Sequence, residues 1–392
     1  MTLLDDAKII TTANAGKAGT LYSIKPDSGL ADLDITRATT ATRVDSVGVI
    51  ESVAINEPQL DYTDGSCPSF LVEPQRTNLF TYSTGLPNGG WGGNSFIFNA
   101  DTAVAPDGTT TANTMEVQST SAYSFINVTL AASTTYTFSF YAKRGTATQM
   151  KYYAISLDNF TTLISQTDFY PLTNSSTWTR ISSSFTTDAA TTSVRIYYRY
   201  VTPGTGTFYL WGLQLEEIPA SSQVETTSYI PTSGATVTRN RTIFSKSGLS
   251  SLIGQTEGVF FLEMELLYDG AFANISIGHG NTDWITIGAS GSTTLWLSIQ
   301  FNSTWLIITS GATQPSGYFK IAAKYKSGDS AFWVNGSEIT TSTTTGTIAN
   351  NWDKIESNYI GFTNQWPFYG KIKQIQVYDT ILTDAQLLAL TT

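Results

Sequence analysis

The sequence predicts an all-β protein: two β-sandwich domains, preceded by an extended N-terminal region and closed by one short helix. Three observations carry this. From about residue 79 onward, apolar and polar residues alternate over short runs, the pattern of strands with one covered face. Tight-turn dipeptides separate the runs, among them Asp107-Gly108, Gly328-Asp329 and Asn335-Gly336. Only one segment, Asp384 to Leu390, carries helix signals: Thr383 is a good N-cap and Gln386 stands three residues on, completing a capping box.

Residues 1–78 are weakly periodic and contain Pro26, Pro58, Pro68 and Pro74. Short apolar pieces such as Val47 to Ile50 fit isolated strands, and the region is expected to lie extended on other domains or on a partner chain. Residues 79–217 form the first sandwich. In Thr135 to Ala142, the residues Tyr136, Phe138, Phe140 and Ala142 share one face, with Thr137, Ser139 and Tyr141 on the other. Ser193 to Val201 repeats this, with Val194, Ile196, Tyr198 and Tyr200 inward and Arg195, Tyr197 and Arg199 outward. Residues 218–257 read as an ordered but irregular linker. Residues 258–392 form the second sandwich, with Phe260, Leu262, Met264 and Leu266 on one face of its first strand. Leu295 to Phe301 and Phe319 to Tyr325 supply further strands.

Composition excludes several function classes. The formal net charge of −10 argues against nucleic acid and anionic membranes, whose binding depends on Lys and Arg. Charged residues make up only 13% of the chain, so Ser, Thr, Asn and Gly supply surface polarity. A single cysteine, Cys67, permits no intramolecular disulfide, and a single histidine, His279, excludes His-rich metal sites and all but excludes a nucleophilic triad. No apolar run is long enough to span a membrane. The opening MTLLDDAKII lacks a basic region followed by an apolar core, so no secretory signal is expected.

Several stretches resemble known families. The segment from Thr36 to Ser83 resembles one common in phage tail and other virion proteins, through Thr36-Arg37-Ala38, Arg43-Val44-Asp45, Gly48-Val49-Ile50, Pro58 to Tyr62 and Glu73 to Leu79. In those proteins it precedes a carbohydrate-binding-module-like jelly roll, which residues 79–217 resemble through Pro106-Asp107-Gly108, Trp178-Thr179-Arg180 and Tyr209 to Glu216. Thr227 to Thr232 is similar to the link that often follows. Residues from Ala331 onward resemble the end of a laminin-G/concanavalin A-like sandwich. The resemblance implies a non-enzymatic virion protein, a fibre, spike or decoration subunit exposed on the particle, that binds bacterial surface polysaccharide. Other virion proteins are its expected partners. A homo-oligomer is expected too, with a trimer the leading subunit number. The rival expectations are a purely structural virion protein, a polysaccharide depolymerase and a bacterial surface adhesin.

Sugar binding is the chemistry the residues favour, because aromatic faces stack on pyranose C–H faces while amides and carboxylates select hydroxyls. Trp284, Trp352 and Trp366 stand beside Asn and Asp in predicted loops, and Tyr153 and Tyr197 are outward by alternation on the jelly roll. Trp178, Trp211 and Trp333 read as packing residues. No catalytic residue is assigned: Glu263 and Glu265 share a strand face, but the third acid that glycosidases of the resembled fold usually place between such a pair is missing. No cofactor and no metal site is assigned. Asp269, Asp283, Asp353 and Asp379 are the available calcium-type ligands, and no dense Asp-x-Asp run joins them.

Overall fold

Alternation becomes burial in both sandwiches of the computed structural model, which describes residues 3–156, 163–199, 205–219, 222, 226–267, 273–289, 294–349, 351–360 and 366–392. Tyr200 and Asp269 lie outside them. The fold is nearly all β, as predicted. Among the described residues no helix is long and apolar enough to cross a membrane.

The jelly roll consists of two five-stranded antiparallel sheets. One runs in the order Phe96–Ala103, Ala112–Val117, Gly206–Ile218, Thr135–Arg144, Thr179–Thr186. The other runs Leu163–Asp168, Lys151–Ser156, Ser193–Arg199, Tyr123–Thr129, Gly92–Asn94. Their inner faces meet in an aromatic core. Phe138 and Tyr152 pack edge to face at 5.1 Å, and Phe140 and Phe169 do the same at 5.1 Å. Thr137 and Ser139, on the opposite phase, are buried too. The chain around Thr227 to Ile230 is bonded to this side of the sheet: Arg180 joins Ser139 Oγ to the Thr227 carbonyl, and Gln214 donates to the Ser228 carbonyl and accepts from the Ile230 N–H.

The second sandwich is one hydrogen-bonded network folded onto itself. One arm holds Thr304–Thr313, Thr294–Phe301, Asp283–Ala289 and Ala273–His279; the other holds Tyr369–Tyr378, Glu257–Leu267, Phe319–Lys326, Ser330–Val334 and Ser337–Ser342. Ile277, Ile287 and Leu297 from the first arm share one core with Leu262, Ile321 and Ile375 from the second. The N-terminal strands Ile9–Lys17, Thr20–Lys25 and Leu33–Thr36 bridge the arms. Ile9 pairs with Val377 on one side, and Ile35 pairs with Phe244 on the other. This part of the N-terminal region is therefore built into the sheet, where its Ile9, Leu21 and Leu33 fill the common core.

The strand Glu257–Leu267 shows why one-sided alternation is incomplete here. Phe260 and Leu262 face the sandwich core, while Val259 and Phe261 face a second cluster with Leu387 of the closing helix. That helix, Asp384–Thr391, carries the predicted capping box at Thr383 and Gln386.

A buried polar network joins the N-terminal region to the linker and the jelly roll. Arg239 Nη1 lies 2.8 Å from Glu73 Oε2, with both side chains almost fully enclosed. Glu73 also accepts from the Ser228 N–H at 2.6 Å, Ser228 Oγ at 2.7 Å and Gln59 Nε2 at 2.8 Å. Burial alone would push the Glu73 carboxyl up; Arg239 and the Ser228 donors more than offset this and hold it below the ordinary carboxylate value. Asn78 donates to the carbonyls of Leu213 and Ile230, tying jelly roll to linker. Arg37 is wholly buried and donates to the Thr39, Ala54 and Glu57 carbonyls and to Gln59 Oε1. Burial and the neighbouring Arg239 push its pKa down to about 10. Residues of the segment 36–83 thus tie the N-terminal region to the linker and the jelly roll.

Candidate functional site

The first arm of the second sandwich turns its isoleucines and leucines inward. Its opposite phase holds Asn274, Ser276, Thr286, Gly288, Ser298 and Gln300, all small or amide-bearing, together with Trp284 and Trp296. A chain segment before and after residues 361–365 lies across this face. Ser276 Oγ donates to the Asn358 carbonyl at 2.7 Å, and the Asn274 N–H donates to the Trp366 carbonyl at 3.1 Å. Gly288 packs against the neighbouring strand: a Cβ there would stand 2.2 Å from Asn274 Oδ1 and 2.1 Å from the Ala273 carbonyl oxygen.

The result is a groove of about 240 Å³ lined by Asn274, Trp296, Trp305, Ile308, Tyr359 and Trp366. Trp305 is 38% exposed and Ile308 is exposed, while Trp296, Tyr359 and Trp366 are half-buried. Trp284 forms the floor of the cluster at 4% exposure, edge-on to Trp305 at 5.8 Å and to Tyr359 at 5.3 Å. Tyr359 is in turn edge-on to Trp366 at 5.5 Å. Burial pushes the Tyr359 phenol up to about 12, so it remains a neutral hydroxyl. Trp366 has φ 54°, a left-handed backbone that bulky residues rarely adopt, and its carbonyl also receives Asn274 Nδ2 at 3.3 Å. None of the described residues lining the groove is charged.

The predicted residues separate under this geometry. Trp366 lies on the groove and Trp284 beneath it. Trp284 belongs to the strand Asp283–Ala289, where its ring is a support covered by two neighbouring rings. Trp352 is a correction: its ring is wholly buried, 4.8 Å from Tyr325 and 5.5 Å from Phe301, because its segment packs back into the core. It cannot stack on a surface sugar from there. Tyr197 is half-buried on the outer face of the jelly-roll sheet, opposite Phe125 and Tyr153 in register. Tyr153 lies on the strand Lys151–Ser156, with its side chain outside the described residues. Trp296, Trp305 and Tyr359 are absent from the sequence-based set. The signal for Trp296 is its phase, a tryptophan on the polar side of Leu295, Leu297 and Ile299.

The acidic candidates are dispersed. Glu263 accepts from Gln374 Nε2 at 2.8 Å and lies 3.8 Å from Lys373 Nζ; Glu265 pairs in register with Lys371. Asp283 is buried and accepts from the Asn302 and Ala349 N–H groups at 2.8 and 3.0 Å. Asp353 lies 3.0 Å from His279 Nδ1, and Asp379 lies 3.4 Å from Lys8 Nζ. Among the described residues no three acidic, His or Cys side chains converge on a metal-sized site.

Comparison with known proteins places the second sandwich. Residues 266–388 match the family model of the Concanavalin A-like lectin/glucanases superfamily. The expected lectin-like domain is therefore present in this part of the chain. No curated protein sequence matches at a significant level. Among solved structures, the chain is similar to the CBM40 of the Ruminococcus gnavus IT-sialidase bound to α2,3 sialyllactose. The identity is 16% and the TM-score 0.32, over 37% of this chain and 91% of that one. It is also similar to domain 4 of AbnA, a GH43 extracellular arabinanase from Geobacillus stearothermophilus, in complex with arabinotriose. Here the identity is 18% and the TM-score 0.30, over 39% of this chain and 73% of that one.

Proposed function

We propose that this protein is a non-enzymatic glycan-binding subunit of a phage virion, a fibre, spike or decoration protein that attaches to bacterial surface polysaccharide. The observation that carries the binding reading is the uncharged aromatic groove formed by Trp296, Trp305, Tyr359 and Trp366 over Asn274. Its rings offer apolar planes for pyranose faces, and the Asn274 amide and Tyr359 hydroxyl offer hydrogen bonds that read ring substituents. The virion setting rests on the resemblance of residues 36–83. A shallow single site of this kind binds weakly, and repetition in a homo-oligomer, a trimer in this reading, on a particle raises avidity without new contacts.

Binding of the full chain to a glycan array and to host cells tests the groove, with Trp305→Ala and Trp366→Ala as controls. The reading expects a restricted set of glycans to be bound and both variants to lose them. Silence on the array and on cells, combined with tight binding to another virion protein, would favour a purely structural role. Mass spectrometry of purified particles tests the location, and reducing-end release from any bound polysaccharide tests the absence of catalysis.

A further inference from the structure

The jelly roll carries a second face whose chemistry differs from that of the aromatic groove. In the sheet that contains Ser193–Arg199, strand register aligns Tyr123, Arg199 and Lys151 in one row. The next row aligns Phe125 with Tyr197, and a third aligns Asn127 with Arg195. The intervening residues Val194, Ile196 and Tyr198 fill the core, so the rows belong to the outer face.

Two features make this face more than ordinary surface. The first is order. The Arg195 guanidinium lies 3.9 Å from the centroid of the Phe125 ring, with its Nε donating to Asn127 Oδ1 at 3.0 Å. Tyr123 stacks beside Phe125 at 6.2 Å with planes 20° apart. The cation is thereby held over an aromatic ring. The second is sign. In a chain of net charge −10, the described part of this face collects Lys151, Arg195 and Arg199 against one acid, Asp168. Asp168 is engaged by Lys151 at 3.5 Å, whereas Arg199 is exposed and has no acidic partner among the described residues.

We infer that this face binds an acidic polysaccharide, one whose sugar rings carry carboxylates. Rings of Tyr123 and Tyr197 take the apolar faces of the sugars, the Arg199 guanidinium takes a planar carboxylate in the two-pronged geometry that arginine favours, and Arg195 adds positive charge beside it. Arg195 and Arg199 stand four residues apart on one strand, about 13 Å at the usual rise. A polymer that repeats its acid along the strand direction meets both charges. The inference does not depend on the groove of the second sandwich, which is uncharged.

Affinity electrophoresis of the full chain through polygalacturonate, and through the same polymer methyl-esterified, tests it. Esterification removes the charge and keeps the sugar backbone. Wild type should bind the free acid at least about tenfold more tightly than the ester, and the preference should weaken as salt is raised. Arg199→Glu should lose about tenfold or more on the free acid and leave the ester unchanged, with circular dichroism reporting an intact fold. Arg195→Gln should lose affinity in the same direction. Equal binding of acid and ester, or an unaltered Arg199→Glu protein, overturns the inference. So does failure to bind both polygalacturonate and alginate. Tighter binding of oligothymidylate than of either polyuronate would make the face a nucleic-acid surface instead.

Discussion

Replacing Arg239 by Met should be among the most damaging single changes in this chain. Its guanidinium is 1% exposed and is spent on three partners: Glu73 Oε2 at 2.8 Å, Ser228 Oγ at 2.9 Å and the Pro74 carbonyl at 2.7 Å. The methionine retains apolar volume but leaves the Glu73 carboxylate, itself 4% exposed, with only Ser228 and Gln59 as donors. Removing one member of a buried ion pair costs about 3–5 kcal/mol, chiefly because the other charge is stranded away from water. The double replacement Glu73→Gln with Arg239→Met removes both charges, and the new amide oxygen can still accept from the Ser228 N–H. It should recover most of the loss, giving a coupling of about 2 kcal/mol or more. Urea denaturation followed by tryptophan fluorescence, on wild type, both single variants and the double variant, measures this cycle. A cost under about 1 kcal/mol for Arg239→Met, or strict additivity in the cycle, would refute the view that this pair locks the linker onto the N-terminal region.

Other consequences are equally concrete. Because the Glu73 carboxyl is held below its unfolded value, its contribution is fully present above about pH 4.5 and is lost as pH falls through the folded pKa. Acid titration of stability should therefore be shallower in Glu73→Gln than in wild type, and identical slopes would show that Glu73 does not drive acid unfolding. For the aromatic groove, Trp305 leaves 38% of its surface open, about 95 Å² of a tryptophan's roughly 250 Å². Covering that area with a sugar is worth about 2.4 kcal/mol at 25 cal/mol per Å², so Trp305→Ala should weaken glycan binding about 50-fold by calorimetry. Thr383→Ala removes the N-cap of the closing helix, where Thr383 Oγ1 accepts from the Gln386 N–H at 3.3 Å, and should cost about 1 kcal/mol in thermal unfolding.

Local features were legible in the sequence because they are enforced within a few residues. Asn335 and Gly336 both take positive φ, 45° and 75°, as an Asn-Gly hairpin turn requires. The capping box at Thr383 and Gln386 and the inward phase of Tyr136, Phe138 and Phe140 follow from equally short-range chemistry. Trp352 and Trp284 show the limit of such reading. Both sit beside Asn or Asp, and neighbouring residues do not reveal whether a tryptophan points to water or to a core.

By itself, then, the amino-acid order determined strand phase, turn positions, the closing helix and an acidic chain made mostly of β-sandwiches. Tertiary structure decided where the N-terminal strands insert, which rings are supports and which are accessible, and that Asn274, Trp296, Trp305, Tyr359 and Trp366 form one groove. The physical reason is range: side-chain alternation is a property of each strand, whereas a groove or a charged face exists only after register has aligned residues that lie tens of positions apart.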